Sequence, residues 1–283
     1  MEDDLDFVGA TEAKDAARAA YDVDIARTFF LNHGKPATLK KDGILFNEKS
    51  PGDRMFFVLR GEVGLTIGGK PLDTVRTGEI IGEMSIVTGS PRSATAFAKS
   101  DCMLISMDAP SFKQALVAHP DFAMLLMSMM LARLRVILSL LRMRGKLASA
   151  AANNSGCKLA NTLLTNIATA LGEKGVVSYP KGRTIIQEGS NGVSMYAVLQ
   201  GTASITIQGK AVEAAGPGSV FGEMALIDAG PRAASVTATS DCKLLSLNKD
   251  AFLTLVKNNP AFSIEILRGF SERLRVLNTL QTT

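Results

Sequence analysis

The chain has 283 residues, of which 46% are hydrophobic and 20% charged, and its formal charge is +4 at neutral pH. That length accommodates two domains with separate cores, and the composition excludes a disordered chain. The mild basic excess is too small to argue for nucleic acid on its own, and the acidic start Met1-Glu2-Asp3-Asp4 is unlike a secretory or transit signal.

In chain order, Ala13 to Leu31 predicts an opening helix. Short apolar runs broken by glycine follow: Phe56-Phe57-Val58-Leu59 before Arg60-Gly61, then Val63-Gly64-Leu65-Thr66-Ile67 before Gly68-Gly69. Strands that short, with turn signals that frequent, predict an antiparallel sandwich or jelly roll. The strand signal ends near Met107, where Asp108 is a good N-cap for a helix and Pro110 falls where a first-turn proline is tolerated.

Pro120 then breaks the chain ahead of a long apolar helix over Met124–Lys146, about 34 Å in length. Met124, Met127, Leu131, Leu134, Leu138 and Leu141 recur at spacings of three and four, a seam that could join two chains or pack within one. Arg133 and Arg135 in the middle of this stretch argue against a membrane span. With Arg142, Arg144 and Lys146 they read as a solvated flank rather than a DNA-binding face. The run Ser149-Ala150-Ala151-Ala152-Asn153-Asn154-Ser155-Gly156 reads as a linker, and a helix from about Lys158 to Leu171 is expected to open a second half.

That second half repeats the first. An offset of 140 pairs Glu48 with Glu188, Gly52 with Gly192, Met55 with Met195, Gly61 with Gly201 and Ser100-Asp101-Cys102 with Ser240-Asp241-Cys242. The same offset pairs Asp108 with Asn248, Pro120 with Pro260, and Arg133-Leu134-Arg135-Val136 with Arg273-Leu274-Arg275-Val276. This is a duplicated domain rather than a solenoid, whose period would be roughly 20 to 50 residues. The predicted boundaries are 1–146 for the first domain, 147–156 for a linker and 157–283 for the second domain.

Three cysteines do not make a disulfide framework, and the repeat places Cys102 and Cys242 at equivalent strand positions, as small buried apolar residues in a reducing compartment. His33 and His119 have no Cys/His/Asp cluster around them, which leaves no basis for a metal site, a cofactor or acid–base chemistry; an enzyme is not expected.

The strongest signal is Gly82-Glu83-Met84-Ser85 followed by Pro91-Arg92-Ser93-Ala94, which returns as Gly222-Glu223-Met224-Ala225 and Pro231-Arg232-Ala233-Ala234. A carboxylate is the natural acceptor for a sugar hydroxyl, and the arginine fork suits phosphate oxygens. Glycine lets the backbone approach a ligand closely. The turns Thr88-Gly89-Ser90-Pro91 and Asp228-Ala229-Gly230-Pro231 would bring acid and guanidinium into one pocket.

These segments resemble the phosphate-binding cassette of the cyclic nucleotide-binding domain family, and the similarity covers about residues 38–144 and 178–283. The resemblance implies a mostly β fold with α: two tandem eight-stranded jelly rolls, each flanked by helices and each holding one nucleotide. By position, Glu83 and Glu223 would take the ribose 2′-hydroxyl, and Arg92 and Arg232 the phosphate. Gly82 and Gly222, with the backbones of Met84, Ser85, Ala94, Met224, Ala225 and Ala234, would complete the two cradles.

In this family the residue after the arginine influences base choice, so Ala233 points to cAMP at the second site. Ser93 suits either base, which leaves cGMP open at the first. Leu138, Leu141, Leu277 and Leu280 are candidate aliphatic lids over the base. The expectation is a cytoplasmic cyclic nucleotide receptor that signals to an unknown partner protein, with homodimerisation through the helix 124–146 open. The competing readings are a regulator of the catabolite activator type, for which the duplication leaves no room for a helix-turn-helix, and a kinase regulatory subunit. Residues 1–40 contain no Arg-Arg pseudosubstrate to favour the latter.

Overall fold

The computed structural model describes residues 22–145, 156–172 and 175–282. The first part of the predicted opening helix and nearly all of the predicted linker lie outside those residues. The chain divides into two units, one of Met1–Met129 with Leu277–Thr283 and the other of Met130–Val276.

In the first unit, helix α1 (Val23–His33) precedes strands β1 (Lys35–Leu39), β2 (Ile44–Phe46), β3 (Arg54–Arg60), β4 (Glu62–Ile67), β5 (Lys70–Arg76) and β6 (Ile80–Ile81). A six-residue helix α2 (Glu83–Thr88) leads into β7 (Thr95–Ala98) and β8 (Cys102–Asp108). The strands form two four-stranded antiparallel sheets ordered β1-β8-β3-β6 and β2-β7-β4-β5, an eight-stranded jelly roll.

Strand β3 reads Met55-Phe56-Phe57-Val58 without alternation because both of its faces are covered. Phe57 stacks on Phe30 of α1, with ring centroids 5.5 Å apart, while Phe56 and Val58 join Val63, Val75, Ile81 and Leu104 inside the barrel. Cys102 belongs to the same cluster, buried as the repeat predicted. Gly61 leaves β3 with φ +101°, and a Cβ there would lie 2.6 Å from the Asp101 carbonyl, so the corner requires glycine.

Asp108 caps α3 (Ala109–Ala118) by accepting the Ser111 amide at 2.9 Å. Helix α4 (Asp121–Met143) ends three residues before the predicted Lys146, where Gly145 turns the chain with φ +66°. Of the apolar seam, Met127, Leu131, Leu134 and Leu141 are buried within the chain, and Met124 and Leu138 half-buried. Among the described residues α4 is the one helix long and apolar enough to cross a membrane by length and composition. It is also a core helix, with 56% of its most apolar window buried.

The second unit repeats the architecture. After α5 (Asn161–Leu171) come β9 (Val176–Tyr179), β10 (Thr184–Ile186), β11 (Ser194–Gln200), β12 (Ala203–Ile207), β13 (Lys210–Ala215), β14 (Val220–Phe221), the short α6 (Glu223–Asp228), β15 (Ser235–Ala238) and β16 (Cys242–Asn248). The sheets are β14-β11-β16-β9 and β10-β15-β12-β13. Each copy carries the same irregularity in its central pairing, between Val58 and Arg60 and between Val198 and Gln200. Asn248 caps α7 (Lys249–Asn258) through the Ala251 amide, and α8 (Pro260–Thr282) closes the chain.

Helix α5 begins at Asn161 rather than Lys158 because the residues before it are extended. The Cys157 carbonyl accepts the Val220 amide at 2.8 Å, the Leu159 amide donates to Gly218, and Lys158 bridges Ser219. Cys157 thus lies along the edge of β14, and a Cβ on Gly269 would meet its Cβ at 2.4 Å. Gly156, just ahead, runs against Glu213, whose Oε1 would clash with any added Cβ.

Candidate functional site

Two cassettes are built on one plan. Gly82 and Gly222 end β6 and β14 with φ +83° and +84°, a left-handed conformation that turns each chain straight into a short helix. Glu83 and Glu223 open those helices and are buried, each about 2% exposed or less. After the turns, Arg92 and Arg232 enter the same regions and are also buried.

Each arginine is oriented by backbone carbonyls. Arg92 donates through Nη1 to Gly82 at 3.1 Å and through Nη2 to Arg54 at 2.6 Å. Arg232 does the same with Gly222, at 2.7 Å, and Ser194. The Nε of Arg92 is buried without a hydrogen-bond partner among the described residues, a donor left over for an incoming acceptor. Burial pushes both guanidinium pKa values down; Asp53 and Glu83 counter this at Arg92, and Tyr196 and Glu223 counter it at Arg232.

The arginines need space that sequence reading alone did not assign. A Cβ on Gly192 would fall 1.9 Å from Arg232 Nε, and one on Gly52 would fall 3.1 Å from Arg92 Nε and 2.3 Å from the Ser85 Cβ. Both glycines stand at matching repeat positions, so the duplication was the signal that could have found them. The aromatic surroundings differ between copies. Arg92 lies 4.2 Å over the Phe46 ring, a cation–π contact, whereas Ile186 occupies that position in the second copy. There Tyr196 lies beside Phe221, and its hydroxyl pKa is pushed up to about 12 by burial and by Tyr179, with Arg232 opposing.

Of the other predicted positions, Met84, Ser85, Ala94 and Ala225 are buried, and Ser93, Met224, Ala233 and Ala234 half-buried. The Ser93 hydroxyl lies 3.9 Å from the Met84 sulfur. Among the candidate lids, Leu141 and Leu277 are buried and Leu138 and Leu280 half-buried.

Sequence reading also missed a buried ionic cluster behind the second cassette. Arg273 of α8 donates to Glu223 at 2.5 Å, and its other terminal nitrogen lies 3.9 Å from Glu213 of β13. The three side chains are 12%, 2% and 6% exposed, so this is a desolvated network. Burial lowers the Arg273 pKa, and the two carboxylates outweigh it to leave the guanidinium firmly charged. Burial raises the Glu213 pKa, opposed by Arg273. One oxygen of Glu223 is thereby held. The clue was the matched Arg-Leu-Arg-Val segment, which carried no chemistry when read as helix surface.

The expected solvated flank of α4 holds at Arg142 and Arg144, which are exposed, and needs a correction at Arg135; Lys146 lies outside the described residues. Arg135 is paired with Asp228, both side chains less than a third exposed, and Arg142 reaches Glu188 at 3.2 Å. Carboxylates distant in sequence meet these arginines only after folding.

A buried carboxylate and a buried guanidinium behind a left-handed glycine, on a jelly roll and present once in each unit, give the arrangement of a module that can hold a small anion. The chain belongs to the cyclic nucleotide-binding domain family, whose sequence pattern matches residues 36–119 and 176–259. It is 28% identical over 244 residues to a cAMP-dependent protein kinase regulatory subunit from Eremothecium gossypii, covering 86% of this chain and 48% of that protein. The chain spans about half the length of the curated relatives it matches.

Among solved structures it is similar to the regulatory domain of Toxoplasma gondii PKA with cAMP, at 21% identity and TM-score 0.29, covering 80% of this chain and 83% of that one. It is also similar to the Thermus thermophilus catabolite activator protein, at 30% identity and TM-score 0.33, over 38% of this chain and 51% of that one.

Proposed function

We propose that the chain is a non-catalytic receptor that binds one cyclic nucleotide in each domain, cAMP at the second site and cAMP or cGMP at the first, and passes occupancy to a partner protein in the cytoplasm. The observation that carries this reading is the pair of arginines, each pinned by two backbone carbonyls at an offset of 140 residues and each beside a buried glutamate. Two polar side chains this deeply buried beside a short glycine turn are costly to keep unless a ligand uses them. In the proposed pose, Arg92 and Arg232 take the exocyclic phosphate oxygens and Glu83 and Glu223 the ribose 2′-hydroxyl. Gly82, Met84, Ser85, Ser93 and Ala94 line one cradle, and Gly222, Met224, Ala225, Ala233 and Ala234 the other.

The names of the relatives support one kind of partner, a protein kinase catalytic subunit. The test of the binding reading is isothermal titration of the chain with cAMP and with cGMP, repeated on Arg92→Ala and Arg232→Ala. Two binding events are expected in the parent and one in each variant. Two unchanged events in either variant would remove that arginine from its pocket.

A further inference from the structure

The turn between Glu223 and Arg232 departs from its first-copy counterpart at three consecutive positions. Asp228 stands where the repeat has Thr88, Ala229 where it has Gly89, and Gly230 where it has Ser90. Two of these differences, Asp228 and Gly230, converge on one guanidinium, that of Arg135 in α4, which lies in the same unit.

Arg135 makes a two-pronged pair with the Asp228 carboxylate, Nε to Oδ2 and Nη2 to Oδ1 at 2.9 Å, and Nη2 also approaches the Pro231 carbonyl at 3.4 Å. It therefore grips both ends of the turn. A Cβ on Gly230 would lie 2.9 Å from Arg135 Nη2, so the glycine makes room for the planar group. Ala229 sits in the left-handed region at φ +53°, where Gly89 carries the same backbone in the first copy at no steric cost. A non-glycine residue persists there only when its surroundings hold it.

Both copies close the turn on the amide two residues on, Asp228 accepting from Gly230 at 2.9 Å, but the first copy holds its acceptor differently. Thr88 donates to the Met84 carbonyl at 2.8 Å and accepts the Ser90 amide, with no carboxylate at that position for an arginine to grip. The two cassettes share their glycine, glutamate and arginine and differ in what holds the arginine-bearing loop.

We propose that Arg135 is a positioning residue for the second nucleotide site alone: by stapling residues 228–231 it sets Arg232 and lengthens the stay of nucleotide there. This rests on the proposed function and concerns the regulation of that same site. Arg135 touches no ligand in this scheme and acts through Asp228.

The test measures dissociation of a fluorescent cAMP analogue, chased with unlabelled cAMP, from the full chain. An Arg92→Ala background isolates the second site and an Arg232→Ala background the first. Arg135→Met and Asp228→Asn are each expected to speed release from the second site about fivefold, the size of one partly exposed bidentate pair. The double variant is expected to release no faster than either single one, and Arg135→Lys, which keeps the charge without the fork, to fall between. Release from the first site is expected to be unchanged by all of them, which a general loss of folding would not produce.

Parent-like release in both Arg135→Met and Arg135→Lys, or equal acceleration at both sites, would overturn the proposal while leaving the receptor reading intact. Absence of nucleotide binding by the parent chain would remove that reading, and this inference with it.

Discussion

Replacing Arg273 by methionine, which keeps much of its length and none of its charge, strands two carboxylates in the second domain. Glu223 and Glu213 are 2% and 6% exposed, and Arg273 is the cation between them. Removing one member of a buried pair leaves an uncompensated charge, a loss of about 3–5 kcal/mol. Urea unfolding at pH 7 should show a deficit of that size.

The pH dependence follows from Glu213, whose carboxyl pKa is raised above its ordinary 4.5 by burial, with Glu223 adding to the rise and Arg273 and Lys158 opposing it. A carboxyl with a raised folded pKa holds its proton where the unfolded chain has lost it. Stability therefore falls as pH climbs from the unfolded value through the folded one. Taking Arg273 away removes the main opposing charge and widens that window, so the variant's deficit should shrink as pH is lowered toward 4.5. Adding Glu213→Gln should recover part of the loss at pH 7. A deficit under about 1 kcal/mol at pH 7, or one that does not change between pH 5 and pH 7, would refute the idea that charge burial governs this cluster.

Further expectations concern the sites and the core. Gly192→Ala places a methyl against Arg232 and should weaken nucleotide binding at the second site by about ten- to a hundredfold, the loss of charge-assisted contacts to phosphate, read by titration. Ala233→Thr adds a hydroxyl beside Arg232 and should raise the affinity of the second site for cGMP by about fivefold relative to cAMP, one added hydrogen bond, in a competition assay. Phe57→Ala opens a cavity between α1 and the barrel and should cost about 3–5 kcal/mol in chemical unfolding.

The fold was legible because its signals are local and doubled. Glycines at Gly61 and Gly201, the capping side chains of Asp108 and Asn248, and the apolar runs at Phe56 and Tyr196 each mark an element end or a strand, and the offset of 140 confirms them against one another. The cassettes were legible for the same reason, since Gly82, Glu83 and Arg92 lie within eleven residues of one another. What stayed hidden is long-range polar pairing. Arg273 finds Glu223 fifty residues away and Arg135 finds Asp228 across ninety-three, and no periodicity announces either. The start of α5 was misplaced because Lys158 satisfies a helical pattern while a neighbouring strand edge claims its backbone. Arg135 on α4 looked like water-facing decoration because its acceptor, Asp228, belongs to another part of the chain.

The short stretch from Gly156 to Leu159 does more than deliver the chain to its second repeat. It occupies an open sheet margin that would otherwise invite pairing with another molecule, and it runs against Glu213 at the back of the ionic cluster. Cutting the polypeptide after Leu159 would thus admit solvent to Arg273 and bare a sticky rim in the same stroke. A trimmed second half that keeps these four residues should stay soluble, and one that lacks them should precipitate.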